Sequence, residues 1–186
     1  MKLLFIVSSL LSSVGLYAQT TAVTTLPVDA QTQRVTYSEI VTVDGVKQSE
    51  LYSRAKLWLA LTFDDAKDVI KVDEKDAGLL LIRAYTDLPI RLTQGSLAPV
   101  NQEAGYMMTL NFKDGRYKYT LTNYNLIVGS LAVPVEKEIS AQMSKPKNKG
   151  AFIAKQYEEQ VATYAKSLAE SLSATLHKPV SGEDNW

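Results

Sequence analysis

The chain has 186 residues, 46% of them apolar and 22% charged, with 20 basic side chains against 20 acidic ones. That is enough for one domain with a real core, and the cancelling charge leaves no electrostatic footprint for nucleic acid. It contains no cysteine, so disulfides, thiolate metal sites and cysteine nucleophiles are excluded.

Residues 1–18 have the pattern of a signal peptide. Met1-Lys2 is a short positive start, an apolar run with serines follows, and Leu16-Tyr17-Ala18 ends it before Gln19. The run is shorter than the roughly 20 apolar residues that span a bilayer. The expectation is cleavage after Ala18 and a periplasmic or secreted product, not membrane-spanning once the leader is removed. Residues 19–33 read as an extended lead-in, 34–178 as a single domain and 179–186 as a polar tail.

Within the domain, residues 34–43 alternate as a strand, with Val35, Tyr37, Val41 and Val43 on one side and a break at Glu39 and Ile40. Residues 49–62 carry Leu51, Ala55, Trp58 and Leu59 at helical spacing, with Ser49 as the expected N-cap. Trp58 on that stripe reads as core more readily than as a ligand platform. A short strand is expected over 68–72 and a second over 79–85, LLLIRAY, with large apolar groups on both faces. Two prolines and a glycine make 87–104 a long irregular loop.

Residues 105–127 form the organising element, a β-hairpin closed by Asp114-Gly115. That dipeptide suits a type I′ turn. A two-residue loop sets the register: Phe112 faces Tyr117, Leu110 faces Tyr119 and Met108 faces Leu121, while Asn111, Thr109 and Met107 pair with Lys118, Thr120 and Thr122 on a mostly polar face. Residues 128–150 read as irregular, with Pro134, Pro146 and the basic run 145–149. A long helix over 151–177 follows, its stripe formed by Ile153, Tyr157, Val161, Tyr164, Ala165, Leu168, Leu172 and Leu176. The order β-α-β-β-β-β-α predicts an α+β fold: one antiparallel sheet of about five strands with two helices on one face.

Four stretches carry a resemblance: LPVDAQTQRVTYSEIVTVDGV, SELYSRAKLWLALTF, AKDVIKVDEKDAGLLLIRA and GRYKYTLTNY. Together they resemble a family of exported bacterial proteins known as a domain of unknown function with a TATA-binding-protein-like (TBP-like) fold. The resemblance spans 26–127 and implies the fold and export. It supplies no catalytic, cofactor or metal residue, and a fold label does not import DNA binding.

The residues themselves point to no cofactor and no catalytic set. His177 is the single histidine and sits at the end of the last helix, where it complements the helix dipole. Asp64, Asp65 and Asp68, and then Asp73, Glu74 and Asp76, are acidic clusters interleaved with lysines and off the calcium-loop spacing, so they read as solvated turns. Of the ten tyrosines, Tyr85, Tyr106 and Tyr124 remain as surface candidates for carbohydrate or peptide contact. If Leu80, Ile82 and Ala84 face the core, then Leu79, Leu81, Tyr85, Met107 and Tyr124 form an apolar stripe on the outer face of the sheet. Monomers seldom leave such a stripe bare. It is covered by the 87–104 loop, by a second copy of the chain, or by a protein or small ligand of the cell envelope. The expected function is a non-enzymatic binding or assembly module. The alternative is a carboxylate-based hydrolase of envelope glycans, which needs two facing carboxylates.

Overall fold

The computed structural model describes residues 25–146 and 150–178. The expected leader, the first part of the lead-in, residues 147–149 of the basic run and the polar tail lie outside the described residues. Strand β1 (Tyr37–Thr42) leads into helix α1 (Gln48–Thr62), the short helix α2 (Ala66–Val69) and strand β2 (Ile70–Glu74). Strands β3 (Leu79–Ile90), β4 (Val100–Lys113) and β5 (Arg116–Val128) form a long meander. Strand β6 (Leu131–Pro134) and helices α3 (Val135–Met143) and α4 (Ala151–Leu176) close the fold. One antiparallel sheet runs β1-β5-β4-β3-β2, and β6 pairs with the far end of β5 on the same edge as β1.

The hairpin register is the expected one, from Lys113 opposite Arg116 to Met107 opposite Thr122. The turn is not type I′. Such a turn requires positive φ at both central residues, and here Gly115 has φ +72° while Asp114 is not among the positive-φ residues. The conformational demand falls on the glycine alone. Asp114 is used instead by the helix next to it, accepting the Gln48 backbone N–H at 2.8 Å. Ser49 is not the N-cap of α1. That position belongs to Lys47, whose side chain makes no capping bond.

Alternation builds the core. Leu80, Ile82, Ala84, Leu88 and Ile90 of β3 and Ala104, Tyr106, Met108, Leu110 and Phe112 of β4 are all buried. Along β1 the alternation is unbroken: Glu39 joins Tyr37 and Val41 on the inner side and accepts the Tyr119 hydroxyl at 2.9 Å, while Ile40 turns outward, 63% exposed. Helices α1 and α4 pack on this inner face, as expected, and α3 packs against α4. Trp58 is core, its indole N–H donating to Ser171 Oγ of α4 at 3.1 Å. Arg54 of α1 donates to the Leu176 carbonyl at 2.7 Å and so serves the negative end of α4.

Two segments expected to be irregular are ordered. Residues 87–90 and 100–104 extend the β3–β4 ladder, with Pro89 opposite Asn101. Proline removes a ladder donor, which argues against a central strand. Strand β2 reaches only as far as Ile82, so beyond that point one edge of β3 is unpaired and Pro89 is tolerated. Only 91–99 remain as the loop. At its start the Gln156 amide of α4 brackets Arg91, accepting from its N–H at 2.7 Å and donating to its carbonyl at 2.6 Å. Residues 131–143 form β6 and α3. Pro134 ends the strand where a helix starts, and Val135, Ile139 and Gln142 supply a buried helical face. The short strand expected over 68–72 begins later, after α2, which Asp65 caps by accepting from the Lys67 and Asp68 N–H groups.

Candidate interaction surface

All three long helices sit on one side, and among the described residues nothing is layered over the other side of the sheet. On that outer face Leu81, Arg83, Tyr85, Gly105, Met107, Asn123 and Ile127 line a hollow of about 350 Å³. Tyr85 stands directly opposite Gly105 and is 51% exposed. The glycine makes room for the ring: a Cβ there would come within 3.1 Å of Tyr85 Cε1. The phenol ring therefore lies along the sheet and forms one wall of the hollow.

Of the expected stripe, Leu81, Tyr85 and Met107 come together in this hollow. Leu79 shares the face, half-buried, at the start of β3 and outside the hollow's lining. Tyr124 does not belong to it. It is 1% exposed and lies on the inner face, and Tyr106, the other surface candidate, is equally buried. Tyr106 is buried by the plain alternation of β4, in line with Met108 and Leu110, whereas the cause for Tyr124 is a β-bulge. Met107 pairs with Thr122 and Gly105 with Asn125, so β5 spends one more residue than β4 over that interval. Asn123 absorbs it at φ +56°, a conformation that Asn tolerates better than most side chains. Side-chain parity inverts there, and Tyr117, Tyr119 and Leu121 before the bulge and Tyr124 and Leu126 after it all face the core. The signal was in the sequence as a spacing of three between Leu121 and Tyr124 in a run otherwise spaced by two.

Behind the bulge the buried rings form one cluster. Tyr124 stacks on Tyr106 at 5.9 Å and meets Tyr37 edge-on at 6.4 Å, and the Tyr106 and Tyr164 hydroxyls share a hydrogen bond of 2.8 Å. Burial pushes the Tyr106 and Tyr124 phenols far above the ordinary range, so both are neutral packing groups. In front of the bulge, the Asn123 amide approaches Met107 Sδ at 3.2 Å, tying the two strands across the floor of the hollow.

Charge is distributed unevenly along the same face. At the hairpin end Lys113, Arg116 and Lys118 surround a second hollow of about 450 Å³ with Ile40 and Asn111. Lys113 and Arg116 stand directly opposite each other. At the other end of β3 and β4 Asp87 stands directly opposite Glu103, both exposed. The ion pairs among the described residues use other side chains: Arg34–Glu136, Arg54–Glu50, Lys56–Asp73, Lys155–Glu159 and Lys166–Glu170. His177 is exposed at the end of α4, its Nδ1 2.8 Å from the Ser173 carbonyl. Among the described residues no group of acidic or histidine side chains is arranged to hold a metal, and no helix is long and apolar enough to cross a membrane.

Residues 37–126 match the model of a family described as a domain of unknown function (DUF4468) with TBP-like fold. Over this segment the chain is similar to the DUF4468 family. The match covers β1 to most of β5, the part of the chain that builds the outer face. A crystal structure of a DUF4468 family protein from Bacteroides ovatus superposes with a TM-score of 0.62 at 14% identity, over 80% of this chain and 90% of that one. A TBP-like protein from Parabacteroides distasonis superposes with a TM-score of 0.53 at 12% identity, over 76% of this chain and 94% of the other. At these identities the likeness concerns the fold, which is α+β and TBP-like as the sequence led us to expect. No curated protein matches the chain.

Proposed function

We propose that the chain is a non-enzymatic binding or assembly module of the cell envelope that makes contact through the outer face of its sheet. The observation that carries this reading is the one-sided layering. Every long helix among the described residues covers the inner face, while Leu81, Tyr85 and Met107 line a hollow opposite that no described residue covers. The 91–99 loop leaves Tyr85 half-exposed, so the surface is open to a partner protein, a small ligand or another copy.

A glycan hydrolase would need two carboxylates facing each other across a cleft. The hollow is lined by Leu, Ile, Met, Ala, Tyr, Gly, Asn, Arg and Lys side chains, without Asp or Glu. Export completes the reading, supported by the leader pattern of residues 1–18. Intact mass of material recovered from the envelope or medium tests it, and a mature chain that keeps residues 1–18 refutes it.

The contact surface is tested by Leu81→Lys. Leu81 is half-buried between Thr109 and Val72 on the outer face. The variant is expected to keep a native circular dichroism spectrum and melting transition and to lose capture of its partner. Gross unfolding would make Leu81 a core residue and end this assignment of the surface.

A further inference from the structure

The outer face carries two like-charge cross-strand pairs of opposite sign. Lys113 opposes Arg116 at one end and Asp87 opposes Glu103 at the other. Like charges directly opposite on a sheet destabilise it, and none of these four side chains is in an ion pair among the described residues. The third cation, Lys118, stands beside the basic pair. Glu74 shares the basic end but lies on β2, two strands away from Lys113.

We propose that this face docks against the same face of a second copy of the chain, with the strands of the two sheets antiparallel. The inference rests on the reading of the outer face as a contact surface and names its occupant. Lys113 and Glu103 are ten residues apart on β4, about 33 Å at about 3.3 Å per residue. Their midpoint is Met108, flanked on the outer face by Met107 and Thr109 and by Arg83 and Leu81 across the ladder. A two-fold axis crossing the strands at that level does three things at once. It brings Lys113 on β4 over Glu103 on β4 of the second copy, with Arg116 on β5 and Asp87 on β3 to either side, and it does the reverse at the other end. It also lays the two hollows over each other at the centre, each with Leu81, Tyr85 and Met107 beside Arg83 and Lys71.

Such a contact is isologous and closes on itself. Twisted sheets pack face to face within about 30° of alignment, as this arrangement requires. Strands β3, β4 and β5 have 12, 14 and 13 residues. They present roughly 600 Å² before β1 and β2 are added, close to the roughly 800 Å² per side of a standard stable interface.

The charge arrangement gives a test with an internal control. Lys113→Glu with Arg116→Glu makes both ends of the face acidic, and Asp87→Lys with Glu103→Lys makes both ends basic. All four side chains are exposed, so both double variants are expected to retain the native circular dichroism spectrum. In sedimentation velocity the wild-type protein should run as a dimer and each double variant as a monomer. An equimolar mixture of the two variants should run as a dimer again, because each end of one then meets its opposite on the other. A monomeric wild type, or a mixture that stays monomeric, overturns the proposal. If the wild type is monomeric but Leu81→Lys still abolishes partner capture, self-docking fails while the contact-module reading stands. A dimer indifferent to Leu81→Lys and to both charge reversals overturns both.

Discussion

The carboxylate of Asp114, at the tip of the central hairpin, accepts the backbone N–H of Gln48 at 2.8 Å and thereby caps helix α1 from 66 residues away. The same turn returns a second bond, from the Gly115 N–H to the Val46 carbonyl, and its carbonyl accepts from Val43 N–H, both at 2.8 Å. Hairpin and helix entry are one hydrogen-bonded unit. Asp114→Ala is expected to lower stability by about 1 kcal/mol, the typical loss of an N-cap, with less loss for Asp114→Asn, which keeps an acceptor. Urea melts read the size, and faster amide exchange over the first turn of α1 would locate it. Equal loss in the two variants would mean that the turn itself, and not the cap, is what Asp114 maintains.

Asn123 sets which way the second half of β5 faces. Its φ of +56° suits Asn or Gly and penalises a β-branched residue. Asn123→Gly should therefore be nearly neutral, while Asn123→Val should cost roughly 1–3 kcal/mol through backbone strain. Deleting Asn123 removes the extra residue and leaves Leu121, Tyr124 and Leu126 in a plain period of two, all still facing the core. That variant should keep cooperative unfolding, since both buried residues stay in the core. Thermal melts of the three decide, and an Asn123→Val protein as stable as wild type would remove the bulge from the account.

The contrast between Leu121 and Tyr124 shows what was legible in the sequence. Hairpin register follows from a local two-residue loop and strict period-two alternation, so the pairs from Lys113–Arg116 to Met107–Thr122 were readable. One extra residue defeats the extrapolation, and Tyr124 moves from the outer stripe to the core. The prolines misled for a related reason. Pro89 is acceptable only because β2 stops short of it, and the length of a neighbouring strand is not a local property. The N-cap was missed because the capping group comes from a turn distant in sequence. Of the outer hollow, Leu81, Tyr85 and Met107 were visible and Arg83 follows from the alternation of β3, while its Asn123 wall needed the bulge to be seen. The paired like charges at its ends follow from register too, once β3 and β4 are known to run their full length.

Helix α4 offers a comparison between two nearly adjacent residues. Leu168 is 5% exposed on the inner stripe, and Lys166 is exposed, 3.8 Å from Glu170. Leu168→Ala is expected to cost about 2–5 kcal/mol by leaving a cavity. Lys166→Ala should stay within about 0.5 kcal/mol, the usual range for a surface site. Similar urea midpoints for the two variants would contradict the docking of this helix face.

Tyr119 and Glu39 predict how stability responds to alkali. The Tyr119 phenol is pushed up to about 12, first by burial and then by its hydrogen bond to the Glu39 carboxylate and that group's charge. In the unfolded chain the phenol titrates near 10. The folded state therefore holds its proton where the unfolded state has lost it. The stabilisation is complete below about pH 10 and is lost as pH rises from 10 to 12. Tyr119→Phe removes this titration together with the hydrogen bond. At pH 8 the variant should be less stable than wild type by about 1 kcal/mol, and the difference should shrink as pH rises above 10. Urea melts of both proteins at pH 8 to 11 measure it, with phenolate absorbance following the titration directly. A gap that stays constant, or widens, over that window would mean that Tyr119 ionises in the folded protein at least as easily as in the unfolded one.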